Sequence, residues 1–315
     1  MSFPVGVLKM AKKEELKMKI LITDGISQKG QKILKDNNIN FDIQHYELDK
    51  LIKVIPEYEG ILVRSATKVP REVIDAGKKL KLIARGGAGI DNIDHKYASS
   101  IGIPVLNTPG ANSASVSELV FAHLFALARF IPQANITMRN SEWNKKAYKG
   151  IELAGKTLGI MGFGKIGQIT AKMALGLDMK VLAFDIADIK TDLDVTMTSK
   201  EEVLKNSDFI TLHVPKMAEP FITEKDINMM KDGVFIINCA RGGGIDEEVL
   251  LNALNSGKVG GAGIDVWMEE PTKNIELINH PKVSATPHIG AATAEAQDRV
   301  GIEIANKIVE TFKSF

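Results

Sequence analysis

Apolar residues fall in short runs separated by stretches where they recur every three or four positions. In the first half the runs are Lys19–Thr23, Phe41–His45, Gly60–Arg64, Lys81–Arg85 and Pro104–Leu106. In the second they are Thr157–Met161, Lys180–Phe184, Phe209–Val214, Val234–Asn238, Gly261–Trp267 and Lys282–Ala285. Continuous apolar runs of this length read as strands buried on both faces. The spaced stretches between them, such as Ser27–Lys35 and Arg71–Ala76, read as amphipathic helices. Repeated β–α alternation predicts an α/β chain with doubly wound parallel sheets and helices on both faces.

One apolar segment is longer. Val116–Ile131 carries Glu118, His123 and Arg129 and runs up to Pro132. A membrane span needs about 20 mostly apolar residues without such charges. The segment therefore reads as a buried helix that stops at Pro132, with Ser115 and Glu118 as a capping box at its start. Apolar residues on nearly every face predict burial on all sides, partly against a second subunit.

Composition narrows the partners. The chain has 315 residues, 44% of them hydrophobic, and a net charge of +1 from 40 basic and 39 acidic residues. That suits about two domains of about 100–200 residues each. It offers no bulk attraction to nucleic acid or to an anionic membrane. The single cysteine, Cys239, allows no intrachain disulfide and fits a reducing, cytoplasmic setting. Met1–Met18 lacks the apolar core of a signal peptide and reads as an extension ahead of the first strand. No His, Cys and carboxylate cluster has ligand spacing, so no metal site is expected.

The chemistry begins at Gly162-Phe163-Gly164-Lys165-Ile166-Gly167, between a strand candidate and the helical pattern Gln168–Leu177. Asp185 closes the next strand candidate. Strand, glycine turn, helix, strand and acid in this order form a dinucleotide site. The glycines permit the tight turn and the approach of the pyrophosphate to backbone N–H groups. A carboxylate at position 185 accepts ribose hydroxyls and repels a 2′-phosphate, which favours NAD over NADP.

This motif starts halfway along the chain, so the first half is a separate domain. Pro109-Gly110 marks one boundary. A second lies near His288–Gly290, before a final helix from Ala291 to about Lys313 that would cross back to the first domain. The cofactor domain, 109–289, is then inserted in a domain made of 1–108 and 290–315, with a cleft between them.

Hydride transfer from an alcohol to NAD needs a base for the hydroxyl proton and a cation for the oxygens. Arg241 follows the strand candidate 234–238 within a glycine-rich turn, and its planar fork suits a carboxylate. His288, in Thr286-Pro287-His288-Ile289-Gly290, is suited to proton exchange. Glu270 can fix its ring. All three lie near the carboxyl ends of strands, where such folds bind ligands.

From Lys19 onward the sequence resembles the D-isomer-specific 2-hydroxyacid dehydrogenase family. The match is carried by Gly162–Gly167 with Asp185, by Asn238–Gly242, by Gly263–Val266 through Glu270-Pro271, and by Thr286–Gly290. The resemblance implies a flavodoxin-like substrate domain and an inserted Rossmann NAD-binding domain. It implies that Arg241, Glu270 and His288 are catalytic, with Asp265 at the nicotinamide side. It also implies cofactor binding by Gly162, Gly164, Lys165, Ile166, Gly167, Asp185, His213, Val214, Cys239, Ala240, Gly290 and Ala291. Gly87, Ala88 and Gly89 would meet the substrate carboxylate with backbone N–H groups. Asn107–Asn112 resembles the interdomain hinge, and the helix after it resembles the one that builds a homodimer, with a tetramer as the alternative.

Within the family, Val63-Arg64-Ser65-Ala66-Thr67-Lys68-Val69 is most similar to members that oxidise 3-phospho-D-glycerate, the first step of serine biosynthesis. That implies a phosphorylated 2-hydroxy acid held by Arg64, Ser65 and Arg85, with Lys145 beside Lys146 reaching a neighbouring subunit's site. Because the chain ends at Phe315, a serine-binding regulatory domain is not expected. Glyoxylate or hydroxypyruvate reduction is the alternative, and an NAD(H)-sensing corepressor a remote one.

Overall fold

The computed structural model describes residues 18–315. The expected extension over Met1–Met18 lies outside them, except for Met18, which is buried. Chain contacts divide the protein into two compact units. The first comprises the described residues through Gly86, then Asn92–Asn107 and Gly301–Phe315; the second comprises Gly87–Asp91 and Thr108–Val300. Gly87–Asp91 and residues 290–300 thus pack with the second unit.

The first unit runs β1 (Lys19–Ile22), α1 (Gln28–Asp36), β2 (Asn40–Ile43), α2 (Leu48–Val54), β3 (Gly60–Val63), α3 (Arg71–Ala76), β4 (Leu82–Arg85), α4 (His95–Ser100) and β5 (Val105–Leu106). Its five strands are all parallel, in the order β2-β1-β3-β4-β5. Alternate residues of β1 and β3 face opposite layers. Leu21, Ile61 and Val63 pack with Leu51, Val73 and Ala98 of α2–α4. Ile20, Ile22 and Leu62 pack with Leu34 of α1 and with Ile304, Ala305 and Ile308 of the last helix. The period-two alternation of a strand buried on both faces produces this arrangement.

The second unit continues with α5 (Ser113–Ala128), α6 (Ile131–Arg139), β6 (Thr157–Met161), α7 (Lys165–Leu175), β7 (Lys180–Phe184), β8 (Thr196–Met197), α8 (Lys200–Asn206), β9 (Phe209–Leu212), α9 (Glu224–Met229), β10 (Val234–Asn238), α10 (Glu247–Ser256), β11 (Val259–Ile264), α11 (Ile275–Ile278) and β12 (Val283–Ala285). The last helix, α12 (Ala294–Lys313), begins in this unit and ends in the first. Seven parallel strands run β12-β11-β10-β9-β6-β7-β8. From β6 the chain moves outward to β7 and β8, then returns to β9 on the other side of β6. That reversal opens a crevice beyond the carboxyl ends of β6 and β9. Helices α5 and α7 cover one face of the sheet, against Leu158, Ile160, Val181 and Phe209. Helices α8–α10 cover the other, against Met161, Ile210, Leu212 and Ile236.

The long apolar segment departs from its expected form. Helix α5 starts two residues before Ser115, after Asn112, which makes no side-chain cap. Ser115 instead bonds through its hydroxyl to the Thr293 hydroxyl at 2.7 Å, so the Ser115–Glu118 capping box does not form. Pro132 does not stop the helix. The chain turns at Phe130, in the left-handed region at φ 54°, and Pro132 sits in the first turn of α6, where a missing N–H costs nothing. Within this chain α5 leaves one stripe uncovered. Glu118, Ala122 and Phe125, one stripe at helical spacing, are exposed. Among the described residues no single helix is long and apolar enough to cross a membrane.

Elsewhere the differences are at ends, apart from the two-residue edge strand β8, which no apolar run announces. β9 stops at Leu212, and β11 at Ile264, because His213 and Asp265–Trp267 leave the ladder to form the loops described next. Helix α12 starts at Ala294, three residues after the expected Ala291.

Candidate active site

The turn after β6 is shaped for a dinucleotide. Gly162 has φ +96°, and a Cβ there would lie 2.7 Å from the His213 carbonyl. A Cβ on Gly167 would collide with the Gly162 carbonyl oxygen, whereas one on Gly164 would meet nothing within 4 Å. Two glycines close the turn, and the third leaves its outer face open. Gly164 is the N-cap of α7 and offers no side-chain oxygen, so the first N–H groups of that helix are uncapped. This open cradle fits a pyrophosphate.

Asp185, partly buried, accepts from Phe163 N at 2.6 Å and Ala187 N at 2.9 Å, which fixes its carboxylate beside the glycine turn. The Lys165 ammonium donates to the Pro109 carbonyl at 3.1 Å. Ile166 is partly buried, and its carbonyl accepts from the Ser117 hydroxyl at 3.2 Å. His213 donates its backbone N–H to Met161 at 2.7 Å and holds Thr211 Oγ1 at 3.2 Å from Nε2. Burial pushes its pKa down to about 3, so its ring stays neutral. Val214 N also faces Gly162, 3.2 Å from where a Cβ would stand. Cys239 is buried, and burial raises its thiol pKa well above the usual range, so the thiolate is suppressed.

Arg241, Glu270 and His288 follow the adjacent strands β10, β11 and β12. The His288 Nδ1 lies 2.8 Å from Glu270 Oε2, with both side chains 39% exposed. A carboxylate can only accept, so Nδ1 carries a proton; in the neutral ring the lone pair then lies on Nε2. Glu270 is itself held, because its Oε1 accepts from Trp267 N at 3.2 Å. The Trp267 indole donates to the Thr286 carbonyl at 3.0 Å, joining the two loops.

Asp265 clamps the histidine loop. It is 1% exposed. Its Oδ1 accepts from the Thr286 hydroxyl at 2.6 Å and Ile289 N at 2.8 Å, and its Oδ2 accepts from Gly290 N at 2.8 Å. Its carbonyl accepts from His288 N at 2.8 Å. These bonds hold His288 at φ 55°, a left-handed backbone that costs a non-glycine residue about 1–2 kcal/mol. Behind the clamp sits buried His123 of α5, 2.9 Å from Ser284 Oγ and 3.2 Å from Thr286 Oγ1. Burial lowers the His123 pKa against an opposing pull from Asp265. Ala291 continues the loop toward α12.

The Arg241 turn is built on Asn238, whose amide donates to the Arg241 carbonyl at 3.0 Å and accepts from Ala240 N at 3.1 Å. Gly242 packs its backbone on that of Trp267, where no side chain fits. The arginine turn and the loop carrying Glu270 are thus in direct contact. The guanidinium donates from Nε to Asp91 Oδ2 at 2.8 Å and from Nη1 to the Ala240 carbonyl at 2.7 Å. Its Nη2 occupies the space a Cβ on Gly89 would need. Gly87 and Ala88 precede this contact, and the Gly87 carbonyl accepts from Thr108 N at 3.0 Å.

In the first unit, Arg64 and Ser65 follow β3 and Arg85 ends β4. The Arg64 loop is pinned at both of its backbone polar groups. Asp24 Oδ2 accepts from Arg64 N at 2.7 Å and Thr67 N at 3.0 Å, while Asn92 Nδ2 donates to the Arg64 carbonyl at 2.7 Å. The Asp24 side chain is 6% exposed. Burial works to raise its pKa, but hydrogen bonds from Thr67, Arg64 and His45 hold the carboxyl below its usual value. Lys145 is exposed in a 3₁₀ turn of the second unit, Lys145–Ala147. Among the described residues no group of three or more His, Cys, Asp or Glu could hold a metal ion.

Residues 121–290 match the pattern of the D-isomer specific 2-hydroxyacid dehydrogenase, NAD binding domain. The chain belongs to that family. The matched residues all lie in the second unit, and the Gly162–Gly167 cradle fits NAD. Relatives agree along nearly the whole length. A hydroxypyruvate reductase of Thermotoga maritima is 48% identical over 296 residues, covering 92% of this chain and 97% of the relative. A D-3-phosphoglycerate dehydrogenase of Sus scrofa is 40% identical over 94% of this chain, which spans 56% of that longer relative. The crystal structure of D-lactate dehydrogenase from Aquifex aeolicus, complexed with NAD and lactic acid, superposes with a TM-score of 0.83 at 30% identity, covering 94% and 95% of the two chains.

Several residues that support this candidate site carry no assigned role in the sequence reading. Asn238 and Asp91 lie inside motifs quoted for other reasons. Thr286 and Trp267 read as motif filler, and His123 as an interruption of an apolar helix. Their signal is a polar side chain flanked by apolar strand or helix residues, the pattern of a group buried because it has partners.

Proposed function

We propose that this dehydrogenase oxidises 3-phospho-D-glycerate to 3-phosphohydroxypyruvate. NAD, when bound, supplies the acceptor for the hydride that leaves C2. Arg241 and the backbone N–H groups of Gly87–Gly89 hold the substrate carboxylate, and Arg241 also polarises the C2 oxygen. His288 Nε2 takes the hydroxyl proton as the C2–H bond breaks, and Glu270 stabilises the imidazolium through Nδ1. In the reverse direction protonated His288 returns that proton to the keto oxygen.

The observation that carries the phosphorylated substrate is the Arg64 loop. Its backbone is fixed by Asp24 and Asn92, while its guanidinium forms no ion pair among the described residues. A guanidinium carried on a fixed backbone, with no carboxylate partner among the described residues, suits a phosphate ester. Ser65, Arg85 and Lys145 complete the proposed phosphate set. Asp185 is assigned the ribose hydroxyls and the preference for NAD over NADP. His213, Val214, Ala240, Gly290 and Ala291 are assigned to the cofactor, and 109–289 to an inserted domain.

A second reading is favoured by the Thermotoga maritima relative, which is matched over 97% of its length and is a hydroxypyruvate reductase. Hydroxypyruvate is the same 2-oxo acid without the phosphate, so the chemistry at Arg241 and His288 is unchanged. We also assign the enzyme to the cytoplasm, to serine biosynthesis and to a homodimer. The dimer is supported by the exposed apolar side chains Phe125, Ile131, Ile136, Met138 and Trp143 on and after α5.

The role assignments are tested with His288→Ala. Turnover should vanish while NADH binding, followed by its fluorescence, is retained. Loss of both, or retention of both, overturns the assignment of His288 as the acid/base.

A further inference from the structure

We propose that Asp91 is a positioning residue that fixes which edge of Arg241 faces the substrate. This rests on the reading of Arg241 as the anchor for a 2-oxo acid. A guanidinium has five N–H donors: one on Nε and two on each Nη. In this chain two are already committed. Nε donates to Asp91 Oδ2 at 2.8 Å, and one Nη1 hydrogen is directed to the Ala240 carbonyl at 2.7 Å. The contact with Asp91 closes the side edge made by Nε.

What remains is the end of the fork, one N–H on Nη1 and two on Nη2. Nη2 lies against Gly89, where any Cβ would displace it. A 2-oxo acid presents a carboxylate oxygen and the keto oxygen on adjacent carbons, side by side. One N–H from each Nη matches that pair. With Nε occupied, Arg241 grips both oxygens end-on, and the side-on grip that would rotate C2 away from a fixed base is excluded.

The pair also sets affinity. Asp91 and Arg241 side chains are 48% and 30% exposed, so the ion pair is screened but not removed by solvent. A second carboxylate arriving at Arg241 meets a cation already shared with Asp91. Asp91 therefore aligns the substrate at the expense of ground-state affinity, and alignment acts on turnover rather than on binding.

The charge and the hydrogen bond are separable. Asp91→Asn keeps an amide oxygen for the Nε–H and removes the negative charge. Asp91→Ala removes both. Turnover of 3-phosphohydroxypyruvate or hydroxypyruvate, whichever the wild type reduces, is measured with NADH for all three proteins, with NADH binding as the folding control. Asp91→Ala should lower kcat at least about tenfold. Asp91→Asn should recover most of that kcat and lower KM for the keto acid about two- to fivefold. Wild-type kcat in Asp91→Ala, or a kcat for Asp91→Asn no better than for Asp91→Ala, overturns the proposal. If the wild type reduces neither acid, the substrate reading fails separately. Oxamate titrated into the NADH complex then decides: it should bind tighter to both Asp91→Asn and Asp91→Ala than to wild type. Equal binding to all three, or to none, overturns the role of Asp91.

Discussion

Replacing Asp265 by Asn removes one charge and almost no volume, yet it should disable the loop that carries His288. The carboxylate accepts three side-chain-directed hydrogen bonds, from Thr286 Oγ1, Ile289 N and Gly290 N, at 2.6–2.8 Å. An amide cannot accept at both ends. With its oxygen toward Thr286 and Ile289, its NH₂ faces the Gly290 N–H. Flipped, its NH₂ faces the Ile289 N–H. The better orientation still loses one hydrogen bond to a charged acceptor, about 1.5–3 kcal/mol, and buries opposed donors, about 1–3 kcal/mol. The sum is about 2.5–6 kcal/mol in a fully buried position. At about 2–4 °C per kcal/mol for a domain of this size, Tm should fall by about 5–24 °C. Displacing His288 by even about 1 Å costs about a hundredfold in kcat. Calorimetry and steady-state reduction of the keto acid at saturating NADH read both effects. A variant with wild-type Tm and wild-type kcat would refute the clamp. A variant altered only in cofactor affinity would show that Asp265 serves the nicotinamide side and not the loop.

Gly242→Ala should destabilise the second unit by about 1–3 kcal/mol or more, because its Cβ would land on the Trp267 backbone, which cannot swing aside; urea unfolding measures this, and an unchanged midpoint contradicts it. Asp185→Ala should weaken NADH and reduce discrimination against NADPH, read as the ratio of the two kcat/KM values; an unchanged ratio refutes the ribose assignment. Asp24 gives a pH signature. Its carboxyl is held below its ordinary value in the fold, so its stabilisation is present above the unfolded value of about 3.9 and is lost as pH falls through the folded one. Asp24→Asn should therefore be less stable than wild type at pH 7, with the gap closing toward pH 3; a gap that widens with acid contradicts the sign.

The parallel sheets were legible because strands buried on both faces leave continuous apolar runs. β6, β7 and β10 occupy the residues their runs predict. The glycine turn was legible because Gly162, Gly164 and Gly167 are close in sequence, and at Gly162 and Gly167 a Cβ would strike backbone atoms. The end of α5 was misjudged because proline forbids a helix interior but favours a helix start. Only the left-handed turn at Phe130 decides between those uses, and a phenylalanine does not announce it. Support for the proposed catalytic residues was hidden by distance along the chain. Asp91 meets Arg241 across 150 positions, and Asp265 meets Gly290 across 25. Periodicity reports what a residue's own element needs, whereas these partners are set by strand order. Asp265 illustrates the limit: the resemblance put this strand-end carboxylate at the nicotinamide side, and periodicity gave no sign that its oxygens also accept from backbone N–H groups of the next loop.

The central claim is hydride transfer on a phosphorylated 2-oxo acid by the Arg241, Glu270 and His288 set. The direct test is NADH consumption by the purified protein with 3-phosphohydroxypyruvate, hydroxypyruvate, glyoxylate and pyruvate side by side. The highest kcat/KM is expected for 3-phosphohydroxypyruvate, with a selective loss of that preference in Arg64→Ala. Equal or better turnover of hydroxypyruvate, unaffected by Arg64→Ala, would contradict the phosphate assignment, and no turnover of any of the four would contradict the catalytic one.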